Sequence, residues 1–175
     1  MFKKILCPTD SSDHAIKALD LAIDLANKYD AALVILHVLH RSEDIEDLQR
    51  FSEVEGLAQH FRMETKRLQA MDNRVDLAMV STIQDLQISP QLLVGVGEHI
   101  LEVAKNHAEA KGVENVDARL VDGNPADRIL RCIKDENIDC VIMGSRGLND
   151  LKGLFLVSVS HKVANRAACT CIAVK

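Results

Sequence analysis

Apolar positions along this chain switch repeatedly between short continuous runs and helical spacing. Residues 3–7, with Ile5, Leu6 and Cys7 apolar, predict a first strand, stopped by Pro8. Ile16, Leu19, Ile23 and Ala26 then recur at the spacing of one α-helical face, with Ser11 or Ser12 placed to cap the helix. Residues 32–38 are almost continuously apolar, as in a parallel strand covered on both faces. Pro90 opens another helix, with Leu93, Val96, Ile100, Val103 and His107 on one side. Residues 116–121 alternate apolar and polar and predict a third strand. In the turn Asp122-Gly123-Asn124-Pro125, Asn124 is the expected N-cap and Pro125 the first helical residue, and Ile129, Leu130 and Ile133 face inward from the helix. Residues 140–143 predict a fourth strand, and residues 158–166 a last helix with Val159 and Val163 one turn apart. Residues 170–174 supply a fifth strand.

The order is strand, helix, strand, insertion, helix, strand, helix, strand, helix, strand. Such alternation predicts the α/β class: a doubly wound, mostly parallel five-stranded sheet with helices on both faces. Residues 1–175 are expected to form a single domain. Residues 41–89 are far too long for a strand-to-helix loop, which usually takes 2–6 residues. The spacing of Ile45, Leu48, Phe51, Val54, Ala58 and Phe61 predicts a helical insertion there after strand 2.

Composition narrows the function classes. The net charge is −5, no basic run appears, Trp is absent and aromatic residues make up 3% of the chain. Nucleic acid is therefore not an expected partner. No secretory leader is visible near Phe2-Lys3-Lys4, and no 18-residue apolar stretch exists, so a cytoplasmic protein with no membrane association is expected. The five cysteines lack C-x-x-C spacing and mostly fall in apolar strands, where buried free thiols are expected. His37 and His40 are three residues apart on one strand, so they point to opposite faces and suggest no metal pair; His107 reads as a core histidine.

Ligands of doubly wound sheets bind beyond the carboxyl ends of the strands, where strand order reverses. Pro8-Thr9-Asp10, Val38-Leu39-His40, Asp122-Gly123 and Gly144-Ser145 occupy such ends. Residues 141–147 run from a strand into two glycines, and Val157-Ser158-Val159-Ser160 follows at the opening of a helix. Glycines admit close backbone approach or a positive φ, and a helix N-terminus offers unpaired N–H groups, so the segment suits an anion such as phosphate. Arg146, between the glycines, is a phosphate candidate, and Asp10, a carboxylate at a strand end, is a candidate helix cap.

Several segments together resemble the universal stress protein family: KKILCPTDSSDHAIKAL, LVILHVL, VDGNPADRILRCIKDENIDCVIMGSRG and SVSHKVANRAACTCIAVK. ATP-binding members carry G-x2-G-x9-G-[ST]. Gly144 and Gly147 match its first two glycines and Ser158 its final hydroxyl, whereas Val157 stands in place of the third glycine. The resemblance implies an adenine-nucleotide site, for ATP or a related nucleotide, formed by Pro8, Thr9, Asp10, Val38, Gly144, Arg146, Gly147, Val157, Ser158 and Val159. In it Asp10 contacts ribose, the Val38 backbone meets adenine, and residues around Val157 and Ser158 meet the phosphates. A divalent cation is expected only with bound nucleotide. The resemblance also implies a homodimer joined through the C-terminal strand, Thr170–Val174.

A β-branched residue resists positive φ and crowds a phosphate turn, so Val157 is expected to weaken binding. The expected function is a cytoplasmic stress-response protein with a weakened ATP-type site. The alternative is a nucleotide-free dimeric module that uses the insertion to bind a protein partner; a slow ATPase ranks below both. No catalytic set is visible: the chain lacks a G-x4-G-K-[ST] loop and a defensible Ser-His-Asp arrangement. A phosphoacceptor receiver domain fits poorly because no element follows the fifth strand to present its lysine. An ATP pyrophosphatase-type enzyme fits poorly because Cys7-Pro8-Thr9-Asp10-Ser11-Ser12 holds no glycine.

Overall fold

The computed structural model describes residues 1–39, 90–146 and 158–175. Met1–His40 with Gly97–Lys175 make one unit; Arg41–Val96 fall to a second, represented among the described residues by the start of one helix. The expected insertion at 41–89, with its apolar spacing, lies outside the described residues, as does His40.

Five strands and four helices alternate along the described chain: β1 (Lys4–Pro8), α1 (Asp13–Tyr29), β2 (Ala32–Leu39), α2 (Pro90–Ala110), β3 (Val116–Asp122), α3 (Pro125–Asp135), β4 (Cys140–Gly144), α4 (Val159–Arg166) and β5 (Thr170–Val174). Every strand pairing is parallel, in the order β3-β2-β1-β4-β5. The chain winds outward from β1 through β2 to β3, then returns to the other side for β4 and β5. Strand order therefore reverses between β1 and β4, and the doubly wound expectation holds.

The continuous apolar strands are buried on both faces. Ile5, Cys7, Leu33, Ile35, Cys140 and Ile142 face a core shared with Ala18, Leu19, Ala22, Ile23 and Ala26 of α1 and Leu101, Ala104 and Ala108 of α2. The intervening Leu6, Val34, Leu36, Val141 and Met143 face Ala126, Ile129 and Ile133 of α3 and Val163 of α4. Period-two alternation sends successive side chains to opposite sides, so a run without polar residues needs helices on both. Each aliphatic side chain so buried contributes ~1.5–3 kcal/mol.

Local signals work as chemistry predicts. Ser12, not Ser11, caps α1, its side chain accepting from Ala15 N–H at 3.2 Å. Asn124 caps α3 by accepting from Asp127 N–H, with Pro125 at its start.

Three expected inward positions turn outward. Ile16, Val103 and Val159 are 50%, 54% and 40% exposed. His107 is not a core histidine; half-exposed on α2, its Nε2 lies 2.8 Å from Asp20 Oδ1, which Lys111 Nζ also approaches at 2.7 Å. Those two partners hold the Asp20 carboxyl below its ordinary range. Of the thiols, Cys7 and Cys140 are buried as expected, whereas Cys132, Cys169 and Cys171 are half-buried.

At the amino ends of the strands, charges tie the layers together. Asp139 accepts hydrogen bonds from the backbone N–H groups of Lys3 and Lys4 at 2.8 and 2.9 Å, which lower its pKa. Glu136 receives Arg119 Nη1 at 2.6 Å and Lys4 Nζ at 2.5 Å, joining α3 to β3 and β1. Arg119 foremost, then Lys4, pulls the Glu136 carboxyl down to about 2.

Candidate functional site

The carboxyl ends of β1 and β4, adjacent in the sheet, place two loops side by side at the reversal of strand order. In the β1 loop, buried Thr9 donates its N–H to Leu36 O at 2.9 Å. Its own carbonyl lies 2.8 Å from His37 Nδ1, and a carbonyl only accepts, so Nδ1 carries the proton. Burial lowers the pKa of His37 and favours the neutral ring; the bond to Thr9 opposes that shift, as does the Asp10 charge. Ser11 adopts φ +65°, a sharp bend for a residue with a side chain. Asp10 does not cap the helix itself. Its Oδ1 accepts from Ser12 N–H at 3.0 Å and Ser12 Oγ at 2.6 Å, fixing the residue that does.

The β4 loop is anchored through Ser145. Its N–H donates to Val174 O of β5 at 2.7 Å, its carbonyl accepts from Ser160 Oγ at 3.0 Å, and its Oγ lies 3.1 Å from His14 Nδ1. Ser158 caps α4, accepting from His161 N–H at 3.3 Å, and its hydroxyl is 3.1 Å from that of Ser160. His161 is exposed, with Nε2 2.9 Å from Asn165 Nδ2.

Gly144 is glycine for a reason of space. It is not among the described glycines with positive φ, which are Gly112 and Gly123. A Cβ there meets His14 Cβ at 2.9 Å and both His14 C and Arg146 O at 3.0 Å. The residue thus lets the first turn of α1 lie directly against the end of β4.

Of the sequence-predicted residues, Pro8, Thr9 and Asp10 end β1, Gly144 and Arg146 end β4, and Ser158 and Val159 open α4. Val38 lies near the end of β2, which pairs with β1. Gly147 and Val157 lie outside the described residues. Sequence reasoning passed over His14, Ser145 and Ser160 as a linked set, and the direct role of His37. His14 lies in the first turn of α1, and nothing local in the sequence indicates that this turn meets the end of β4.

Chemically the arrangement offers carboxylate acceptors at one loop, a guanidinium and hydroxyls at the other, and the N-terminus of α4 beside them. That set suits a ligand with hydroxyls at one end and negative charge at the other. Among the described residues no three His, Cys, Asp or Glu side chains gather to hold a metal ion, and no helix is long and apolar enough to cross a membrane.

A family model described as the universal stress protein family matches residues 1–175. Universal stress protein YxiE of Bacillus subtilis is 31% identical over 175 residues, which cover 100% of both chains. The solved structure of MJ0577, of Methanocaldococcus jannaschii, is 25% identical with a TM-score of 0.65, over 100% of this chain and 96% of that one. The fold is also that of a universal stress protein solved in complex with cAMP, at 20% identity and TM-score 0.61, over 99% and 97% of the two chains. An Archaeoglobus fulgidus universal stress protein solved with dAMP shares the fold at 13% identity and TM-score 0.57, over 100% and 98% of the chains.

Proposed function

The chain belongs to the universal stress protein family, and we propose that it is a cytoplasmic regulatory stress-response protein that binds an adenine nucleotide where β1 meets β4. The observation that carries this reading is the side-by-side placement of the Asp10 turn and the Ser145-Arg146 turn at the reversal of strand order. Proteins of the same fold solved with cAMP and dAMP support it, since those ligands share an adenine, a pentose and one phosphate.

In this reading Asp10, beside Pro8 and Thr9, accepts from the pentose hydroxyls and the Val38 backbone meets adenine. Gly144, Arg146, Gly147, Ser158 and Val159 serve the phosphates, which bring any divalent cation with them. Val157 occupies the position of a glycine in the ATP-binding pattern and weakens the hold on a triphosphate. Hydrolysis is at most slow.

β5 pairs among the described residues only with β4, which leaves its outer edge open to a second copy. An apolar edge strand needs cover, and pairing through Thr170–Val174 makes a two-fold homodimer.

Val157 also favours a second reading, a nucleotide-free dimeric module that recruits a protein partner through residues 41–89. Mass spectrometry of small molecules released from gently purified, heat-denatured protein separates the two. Recovery of an adenine nucleotide, below one per chain as a weakened site implies, is the expected result, and none recovered favours the module.

A further inference from the structure

His14 is a histidine that neither the family pattern nor the sequence-predicted site uses, yet it touches the centre of that site. It is half-buried in the first turn of α1, four residues after Asp10. Its backbone and Cβ fill the space a side chain at position 144 would need. Its Nδ1 lies 3.1 Å from Ser145 Oγ, the hydroxyl adjoining Arg146. No second partner of His14 exists among the described residues. Ser145 is itself immobilised through Val174 O and Ser160 Oγ, so the imidazole rests on a fixed platform.

We propose that His14 is a phosphate-recognition residue that makes this site select phosphorylated adenosines over adenosine. The inference rests on the nucleotide reading above. When the Ser145 hydroxyl donates to Nδ1, the ring proton sits on Nε2. The N–H there has no acceptor among the described residues and adds a donor beside Arg146 and the start of α4. A phosphate oxygen satisfies it through a charge-assisted hydrogen bond, and free adenosine carries no such acceptor. The residue thereby ties phosphate occupancy to the contact between α1 and β4.

Two roles of His14 must be told apart: holding Ser145, and meeting phosphate. H14N separates them, because an asparagine amide reaches the position of Nδ1 but not that of Nε2. Calorimetric titration of the full chain and of H14N with adenosine, AMP and ATP is the test. The expected result is about a tenfold loss in affinity for AMP and for ATP in H14N, with adenosine binding unchanged. Unchanged adenosine binding also shows that the variant folds. Wild-type affinity of H14N for AMP, or equal loss for all three ligands, overturns the assignment. Binding of none of the three by the unmodified chain overturns the nucleotide reading itself and this inference with it.

Discussion

Gly144 and His14 are in contact so close that a single carbon placed on Gly144 lies 2.9 Å from the Cβ of His14. The obstacle is the root of a side chain and its backbone, neither of which swings aside as a side-chain tip does. The glycine matched in the nucleotide pattern is therefore also a packing requirement of this chain.

G144A is expected to cost ~1–3 kcal/mol, because α1 must move away from β4 to admit the methyl group. Urea unfolding followed by circular dichroism measures it. A midpoint equal to that of the wild type means the contact yields freely, which the geometry denies.

Strands and caps were legible because each depends on a few neighbouring residues. The apolar runs at β1, β2 and β4 and the Asn124-Pro125 signature needed no knowledge of the rest of the chain. Outward-facing Ile16, Val103 and Val159 were not legible. Helical phase gives an apolar stripe, but the neighbouring layer decides which part of it is covered. On α2 the small residues Ala104 and Ala108 lie in the core while Val103 faces outward. The placement of Pro8, Asp10, Gly144 and Arg146 at neighbouring strand ends was legible, through motif and topology together. His14 was not, because its role arises from a contact between residues 131 positions apart in sequence.

The Glu136 carboxyl, lowered to about 2 by Arg119 and Lys4, links stability to pH. A carboxyl depressed by folding contributes stability above its unfolded pKa and loses it as pH falls through the folded value. E136Q is expected to be less stable than the wild type at pH 7, with the gap closing as the medium is acidified from about pH 4.5 towards about 2. Urea midpoints of both proteins across that range check this. A gap that persists undiminished at pH 2 contradicts the ion-pair account.

Burial pushes the Cys7 thiol up to about 12 and, as the first cause, those of Cys140 and Cys169 up to about 11. Thiolates are the reactive form, so native alkylation at pH 8 should be slow throughout. Half-buried Cys132, Cys169 and Cys171 should label before Cys7 and Cys140, which are 0% exposed. Peptide mass spectrometry after timed iodoacetamide treatment gives the order. Early labelling of Cys7 is inconsistent with the packed centre of the sheet.

V157G restores the glycine of the ATP-binding pattern and is expected to tighten ATP binding by about tenfold, through relief of strain or crowding of ~1–3 kcal/mol. Fluorescence competition against a labelled adenine nucleotide provides the comparison. Equal ATP affinity in the two proteins shows that Val157 is no obstacle.

Asp10 tests the nucleotide site most directly. D10N keeps an oxygen able to accept from Ser12 N–H and Oγ, so the turn into α1 survives while the carboxylate charge is lost. Isothermal titration of the wild type and D10N with AMP, cAMP and ATP is the decisive measurement. One site per chain is expected for at least one of these ligands, weakened about tenfold in D10N as a charge-assisted bond to the pentose is lost. No binding of any of the three, or identical affinity in the two proteins, contradicts that expectation.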